Sequence, residues 1–209
     1  MKTVIINGSP RKNQNTANIL KEAQRGAEAA GHETVYYNLY DLKFTGCKSC
    51  LGCKRKGNTE PYKCIIKDEL SEVLDAIYEA DHLIIGSPIY FGQPTGELRS
   101  FMERACFPPL SYNDYSSLFN RKVDVTVFLT MNNSLERYNE FDKSDMEKYF
   151  GPFRMLKGDV KIIPVCDTLQ VNDYSKYEMA SFSEEHKKEV HEHDFPKDLE
   201  VAFNVGSYV

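Results

Sequence analysis

The chain has 209 residues, 41% of them hydrophobic and 27% charged, with a formal net charge of −5. That balance suits one soluble globular domain able to bury a substantial core. It argues against nucleic-acid backbones and anionic membranes as partners, which need clustered positive charge, and no apolar run approaches the roughly 20 residues of a membrane helix.

The first element is a β-branched strand, "TVIING" (3–8), whose apolar run is far too short for a signal-peptide core. A cytoplasmic location with reduced thiols is therefore expected, and the six cysteines point to metal or redox chemistry rather than to a disulfide framework. Helical spacing follows over 16–30, with Asn15 or Thr16 as the cap and Gly31 as the stop. "ETVYYNL" (33–39) reads as a second strand, and a cysteine-rich loop (46–64) leads to a helix over 69–80 capped by Asp68. "HLIIGS" (82–87) has the continuous apolar run of a strand buried on both faces. A helix over 97–106, a strand over 122–130, a helical stretch near 144–156 and a fifth strand over 160–165 complete the alternation. The tail from Asp167 is polar and Tyr-rich, and it closes on a helix opened by Pro196.

Strands separated by helices predict an α/β fold: a doubly wound, five-stranded parallel sheet, order 2-1-3-4-5, with helices on both faces. Residues 1–166 form the domain, and 167–209 are an extension packing on it or on a neighbouring subunit. In such sheets ligands bind beyond the carboxyl ends of the strands, where the winding reverses.

Two loops at that edge carry chemistry. "NGSPRKNQNT" (7–16) is neither a dinucleotide fingerprint nor a Walker loop. It gathers the hydroxyls of Ser9 and Thr16, the cation Arg11, the amides of Asn13 and Asn15 and a helix start, which together suit one phosphate. An ordinary capped turn would use the same residue types. "GSPIYFGQPTGELRSFMER" (86–104) is rigid and turn-rich, and it projects Ile89, Tyr90 and Phe91, which suit a flat ring or simply pack the loop.

Together these loops resemble those of the flavodoxin-like NAD(P)H-dependent FMN reductase superfamily, across roughly the first 130 residues; the cysteine segment running into "CIIKDEL" resembles its iron–sulfur flavoprotein branch. The resemblance implies an FMN-dependent oxidoreductase that takes hydride from NAD(P)H. The acceptor would be a flavin, a quinone, a nitro compound or a protein. The phosphate falls to Ser9, Arg11, Asn15 and Thr16, and the ring to Pro88, Ile89, Tyr90, Phe91 and Gly92. A third family loop would be "TMNNS" (130–134). No protein side chain is assigned a catalytic role, because the flavin carries the chemistry. The resemblance also implies a homodimer or homotetramer, with "YFGQPTG" and the tail near the interface.

Cys47, Cys50, Cys53 and Cys64 form C-x-x-C-x-x-C with a distant fourth, among Lys48, Lys54, Arg55, Lys56 and Lys63. A four-iron, four-sulfur cluster, zinc and free thiols are three uses this spacing leaves open. Cys106 and Cys166 read as buried small hydrophobes, and His191 with His193 as part of a solvated tail. Two rival classes are an FMN electron-transfer protein reduced by ferredoxin and a flavin-free zinc module.

Overall fold

The computed structural model describes residues 1–208. Five parallel strands form the sheet: β1 (Lys2–Asn7), β2 (Glu33–Asn38), β3 (His82–Tyr90), β5 (Val123–Thr130) and β6 (Lys157–Val165). The strand order is β2-β1-β3-β5-β6, with a two-residue strand β4 (Gln93–Pro94) paired antiparallel to the end of β3. Leaving that hairpin arm aside, the order is the predicted 2-1-3-4-5. The winding reverses between β1 and β3, which pair in register from Thr3↔His82 to Asn7↔Gly86.

Side chains alternate along each central strand, so the two faces bury separate cores. Val4, Ile6, Leu83, Ile85, Val125 and Val127 face α2 (Leu70–Glu79), α3 (Gly96–Cys106) and α5 (Lys143–Phe150). Ile5, Ile84 and Phe128 face α1 (Asn15–Ala29) and α7 (Phe195–Ser207). The tail therefore packs on its own domain through α7. The contact is close: a Cβ on Gly206 would lie 1.8 Å from the carbonyl oxygen of Ala23, and one on Gly26 would lie 2.0 Å from that of Phe203. Only glycine at both positions lets the two backbones meet this way.

Three elements differ from the expected pattern. The stretch near 144–156 is α5 followed by a 3-10 run, Gly151–Leu156, because Pro152 lacks the N–H to continue an α-helix. Upstream, α4 (Leu135–Arg137) and a π-helical turn (Tyr138–Asp142) run into α5. In the tail, α6 (Glu184–His193) precedes α7; its start is set by the Ser183 hydroxyl, which accepts from His186 N at 3.2 Å, not by an apolar stripe. Among the described residues no helix is long and apolar enough to cross a membrane.

Candidate functional site at the carboxyl edge of the sheet

The first loop leaves β1 at Asn7, whose side chain accepts from Ser9 N at 2.9 Å and donates to Asn38 at 3.0 Å. Ser9 is buried, and its hydroxyl accepts from Arg11 N at 3.1 Å. Asn15 and Thr16, the expected caps, are instead the first helical residues, and Gln14 at the cap position makes no side-chain bond. No acidic side chain occupies the first turn. The N–H groups that open this 15-residue helix thus have no protein cap and point at the rim, the condition under which a helix start takes an anion.

The other predicted phosphate residues are placed as follows. Arg11 donates to the Gln170 carbonyl at 2.8 Å, and Asn15 donates to that of Leu169 at 2.7 Å. The tail segment after β6 therefore lies across the first loop. Thr16 is buried with its hydroxyl 2.7 Å from that of Thr130, at the end of β5, so its backbone N–H is what it offers to a ligand. A cleft of about 530 Å³ runs between residues 11–14 and 170–177, with Arg11, Lys12 and Lys176 on its walls.

The second loop is tied to the first. Thr95 donates its hydroxyl to the Gly8 carbonyl at 2.7 Å, accepts from Leu98 N as the cap of α3, and donates its own N–H to Ser87 Oγ. Beyond Pro88 and Ile89, the β3–β4 hairpin turns on Phe91 and Gly92, whose φ values of 51° and 72° are both left-handed. Two consecutive positive φ angles define a type I′ turn, for which Phe is a poor first residue. Phe91 is nevertheless there, fully exposed, with Tyr90 half-exposed beside it. Strain together with an exposed ring marks this tip as built for contact.

The third loop is held from α6: Lys187 is buried and donates to the Asn132 carbonyl and to Asp167, and the Asn132 Oδ1 atom is buried without a partner. Pattern reading missed Lys187 because it lies on the polar helix α6.

The cysteine loop sits beside α3. Cys47, Cys50, Cys53 and Cys64 line one narrow cleft with Arg104 and Phe107. Cys53 is buried and Cys47 and Cys50 are exposed. Ser49 and Leu51 both have positive φ, so the C-x-x-C-x-x-C run is tightly coiled. Cys47 N donates to Glu103 Oε2 at 3.2 Å. Burial pushes the Cys53 thiol above its ordinary pKa, with Lys54 pulling the other way. Among the flanking cations, Lys63 pairs with Asp75 and Glu60, and Lys54 is held by the carbonyls of Phe107, Pro108 and Leu110. Among the described residues no three His, Cys, Asp or Glu side chains are close enough to hold a single metal ion. Four cysteines on one cleft are the donor set that a cluster or a zinc ion would use.

Cys106 lies in the core, its thiol shifted up by burial, and burial lifts half-buried Cys166 to about 11. His191 stacks on Phe195 with ring centres 5.1 Å apart.

A doubly wound sheet with an uncapped helix start and an exposed aromatic hairpin at its switch point defines a flavodoxin-like α/β protein. A family model described as NADPH-dependent FMN reductase matches residues 1–137, and the chain belongs to that family. It is 38% identical over 105 residues to an iron–sulfur flavoprotein of Methanocaldococcus jannaschii, covering 50% of this chain and 52% of the relative. It is 37% identical over 105 residues to an iron–sulfur flavoprotein of Archaeoglobus fulgidus, covering 50% and 49%. The chain thus spans about half the length of the curated relatives it matches. In fold it is similar to an NAD(P)H:quinone oxidoreductase from Methanothermobacter marburgensis, with a TM-score of 0.73 at 15% identity over 99% of this chain and 98% of the other. An azoreductase from Bacillus anthracis shares the fold with a TM-score of 0.65 at 12% identity over 99% of both chains.

Proposed function

We propose that this chain binds FMN at the carboxyl edge of the sheet and serves as an oxidoreductase drawing electrons from NAD(P)H. The observation that carries the proposal is the uncapped start of α1 fastened, through Thr95 and Gly8, to a hairpin that exposes a strained Phe91. FMN held there would supply the chemistry of accepting hydride from a nicotinamide and passing electrons singly or in pairs to a small-molecule or protein acceptor. Ser9, Arg11, Asn15 and the N–H groups of α1, Thr16 included, hold the phosphate. Pro88, Ile89, Tyr90, Phe91 and Gly92 bear on the ring, the two prolines and the turn fixing their direction. Lys12 pairs with Asp41 and so joins the first loop to the segment after β2.

The four cysteines, in this proposal, carry a four-iron, four-sulfur cluster. The support is their shared cleft and a buried guanidinium on its wall. A cluster supplies one-electron transfer, which favours electron delivery to a protein or a one-electron acceptor.

Anaerobic absorbance with iron and sulfide analysis tests both parts. FMN bands bleached by NADH or NADPH and about four irons per chain are expected. Protein that takes up no FMN ends the first part; protein with FMN but no iron ends the second. Reduction by ferredoxin and not by either nicotinamide would convert the reading to an electron-transfer protein. The exposed Tyr90–Phe91 tip also suits contact with a second copy, and a monomer by light scattering with FMN bound would exclude that.

A further inference from the structure

Five buried side-chain polar atoms among the described residues have no hydrogen-bond partner, and one of them, Arg104 Nε, belongs to a fully buried cation. A guanidinium has five N–H groups. Four are used here. Nη1 donates to the Thr45 carbonyl at 3.1 Å and to Asp68 Oδ2 at 2.5 Å; Nη2 donates to the Ile66 carbonyl at 3.1 Å and to Asp68 Oδ1 at 3.0 Å. The fifth, Nε–H, belongs to the side chain that lines the cleft of Cys47, Cys50, Cys53 and Cys64. Burial works against the charge of Arg104, but Asp68 and the neighbouring Cys64 sulfur outweigh it and hold the pKa above the ordinary value. That sulfur does not meet hydrogen-bond geometry with Nε. A buried charged donor left open is costly, and it needs an acceptor.

The four engaged donors have a second property. Thr45 lies two residues before Cys47, and Ile66 lies two residues after Cys64. One rigid fork therefore grips the cysteine loop at both ends, and its remaining N–H has no protein acceptor although the side chain lines the cysteine cleft. Lysine has no such planar fork and could not satisfy both strands and the carboxylate together.

We propose that Arg104 is the positioning residue of the cysteine site, clamping the loop through Thr45, Ile66 and Asp68 while Nε–H donates to a sulfur of the bound iron–sulfur cluster. This rests on the cluster reading above. One-electron reduction adds one negative charge to the cluster, and a buried N–H donor on a cation favours that more negative form, so Arg104 raises the reduction potential.

The test uses FMN-loaded protein with its cluster reconstituted anaerobically, comparing wild type, Arg104→Lys and Asp68→Asn. Iron content, melting temperature and the cluster's midpoint potential, from a redox titration followed by electron paramagnetic resonance, are read for each. Arg104→Lys is expected to make cluster reduction about tenfold less favourable, 59 mV lower for a one-electron couple. Asp68→Asn keeps Nε–H and removes a negative charge, so its potential should move up. A merely structural clamp would loosen in both variants and move both potentials the same way, which overturns the proposal. So does an Arg104→Lys protein with wild-type iron and potential. If Arg104→Lys loses its iron, the sign of the Asp68→Asn shift decides. Wild-type protein that binds FMN but no iron overturns the cluster reading itself, a separate result.

Discussion

Replacing Thr95 with valine keeps the shape of the side chain and removes only its hydroxyl. Thr95 is 1% exposed, so water cannot substitute. Two bonds disappear: the one donated to the Gly8 carbonyl at 2.7 Å and the cap accepted from Leu98 N at 3.4 Å. Loss of an N-cap costs about 0.5–2 kcal/mol, and a buried carbonyl left without its donor costs about 1–3 kcal/mol. Together they put the destabilisation of Thr95→Val at roughly 1.5–5 kcal/mol. For a chain of this size each kcal/mol lowers the melting temperature by about 2–4 °C, so the drop should be roughly 3–20 °C. Urea unfolding at unchanged m-value would measure the free energy, and flavin fluorescence quenching the FMN affinity. Thr95→Ser retains the hydroxyl and should stay within about 1 kcal/mol of wild type. A valine variant within about 0.5 kcal/mol of wild type would refute the energetics, since that is what a neutral surface change does. The expected destabilisation with FMN affinity untouched would refute the idea that this hydroxyl holds the two loops in register.

Gly206→Ala should destabilise by about 1–3 kcal/mol through overpacking, although alanine gains about 1 kcal/mol of helix propensity; a melting temperature at or above wild type would show that α1 and α7 are not in backbone contact. Phe91→Asn should raise the stability of FMN-free protein by about 1 kcal/mol, because asparagine tolerates the left-handed region, and should weaken FMN binding roughly 2- to 12-fold if the ring is worth about 0.5–1.5 kcal/mol in stacking. Burial lowers the pKa of His82 to about 4, so between pH 6.5 and 4 the unfolded chain binds the proton first and stability falls as pH falls. Burial, then the charge of Asp194, raises Asp198 to about 6, so its ionisation in the folded state removes stability as pH rises from about 4 to 6. The two oppose each other. Chemical denaturation across that window should show a steeper fall toward acid in Asp198→Asn, and the reverse slope in His82→Gln.

The strands and the two rim loops were legible because burial on both faces writes itself as runs such as "HLIIGS", and because turn residues mark where such runs end. Helix α6 was not legible. "EEHKKEVHEH" is polar nearly all round, so it has no periodic signal, only the cap at Ser183. Nor could the sequence show that Arg11 and Asn15 meet carbonyls 159 and 154 residues away, since those acceptors are backbone atoms of an irregular segment. The cysteines declared themselves by spacing, but the buried cation on their cleft did not. Lys54 and Lys63, near them in sequence, are tied up by carbonyls and carboxylates, while Arg104 enters from a helix 40 positions beyond Cys64. Patterning reports which face of a helix is apolar; it does not report which polar group is buried within that face.

Helix α3 joins both sites. Its cap, Thr95, fastens the two rim loops, and Glu103 and Arg104 near its other end fasten the cysteine loop. Nine residues at 1.5 Å each separate Thr95 from Arg104 by about 13 Å along the axis. The distance between the two proposed redox centres is thus set by a packed helix and not by the turn-rich loops on either side. Sites that far apart with no shared partner should contribute independently, so Thr95→Val and Arg104→Lys combined should destabilise by the sum of the single changes within about 0.5 kcal/mol. A double-mutant cycle by urea unfolding measures this. A coupling well above that value would mean that α3 yields as one body when either end is released, and the fixed spacing would then depend on both anchors together.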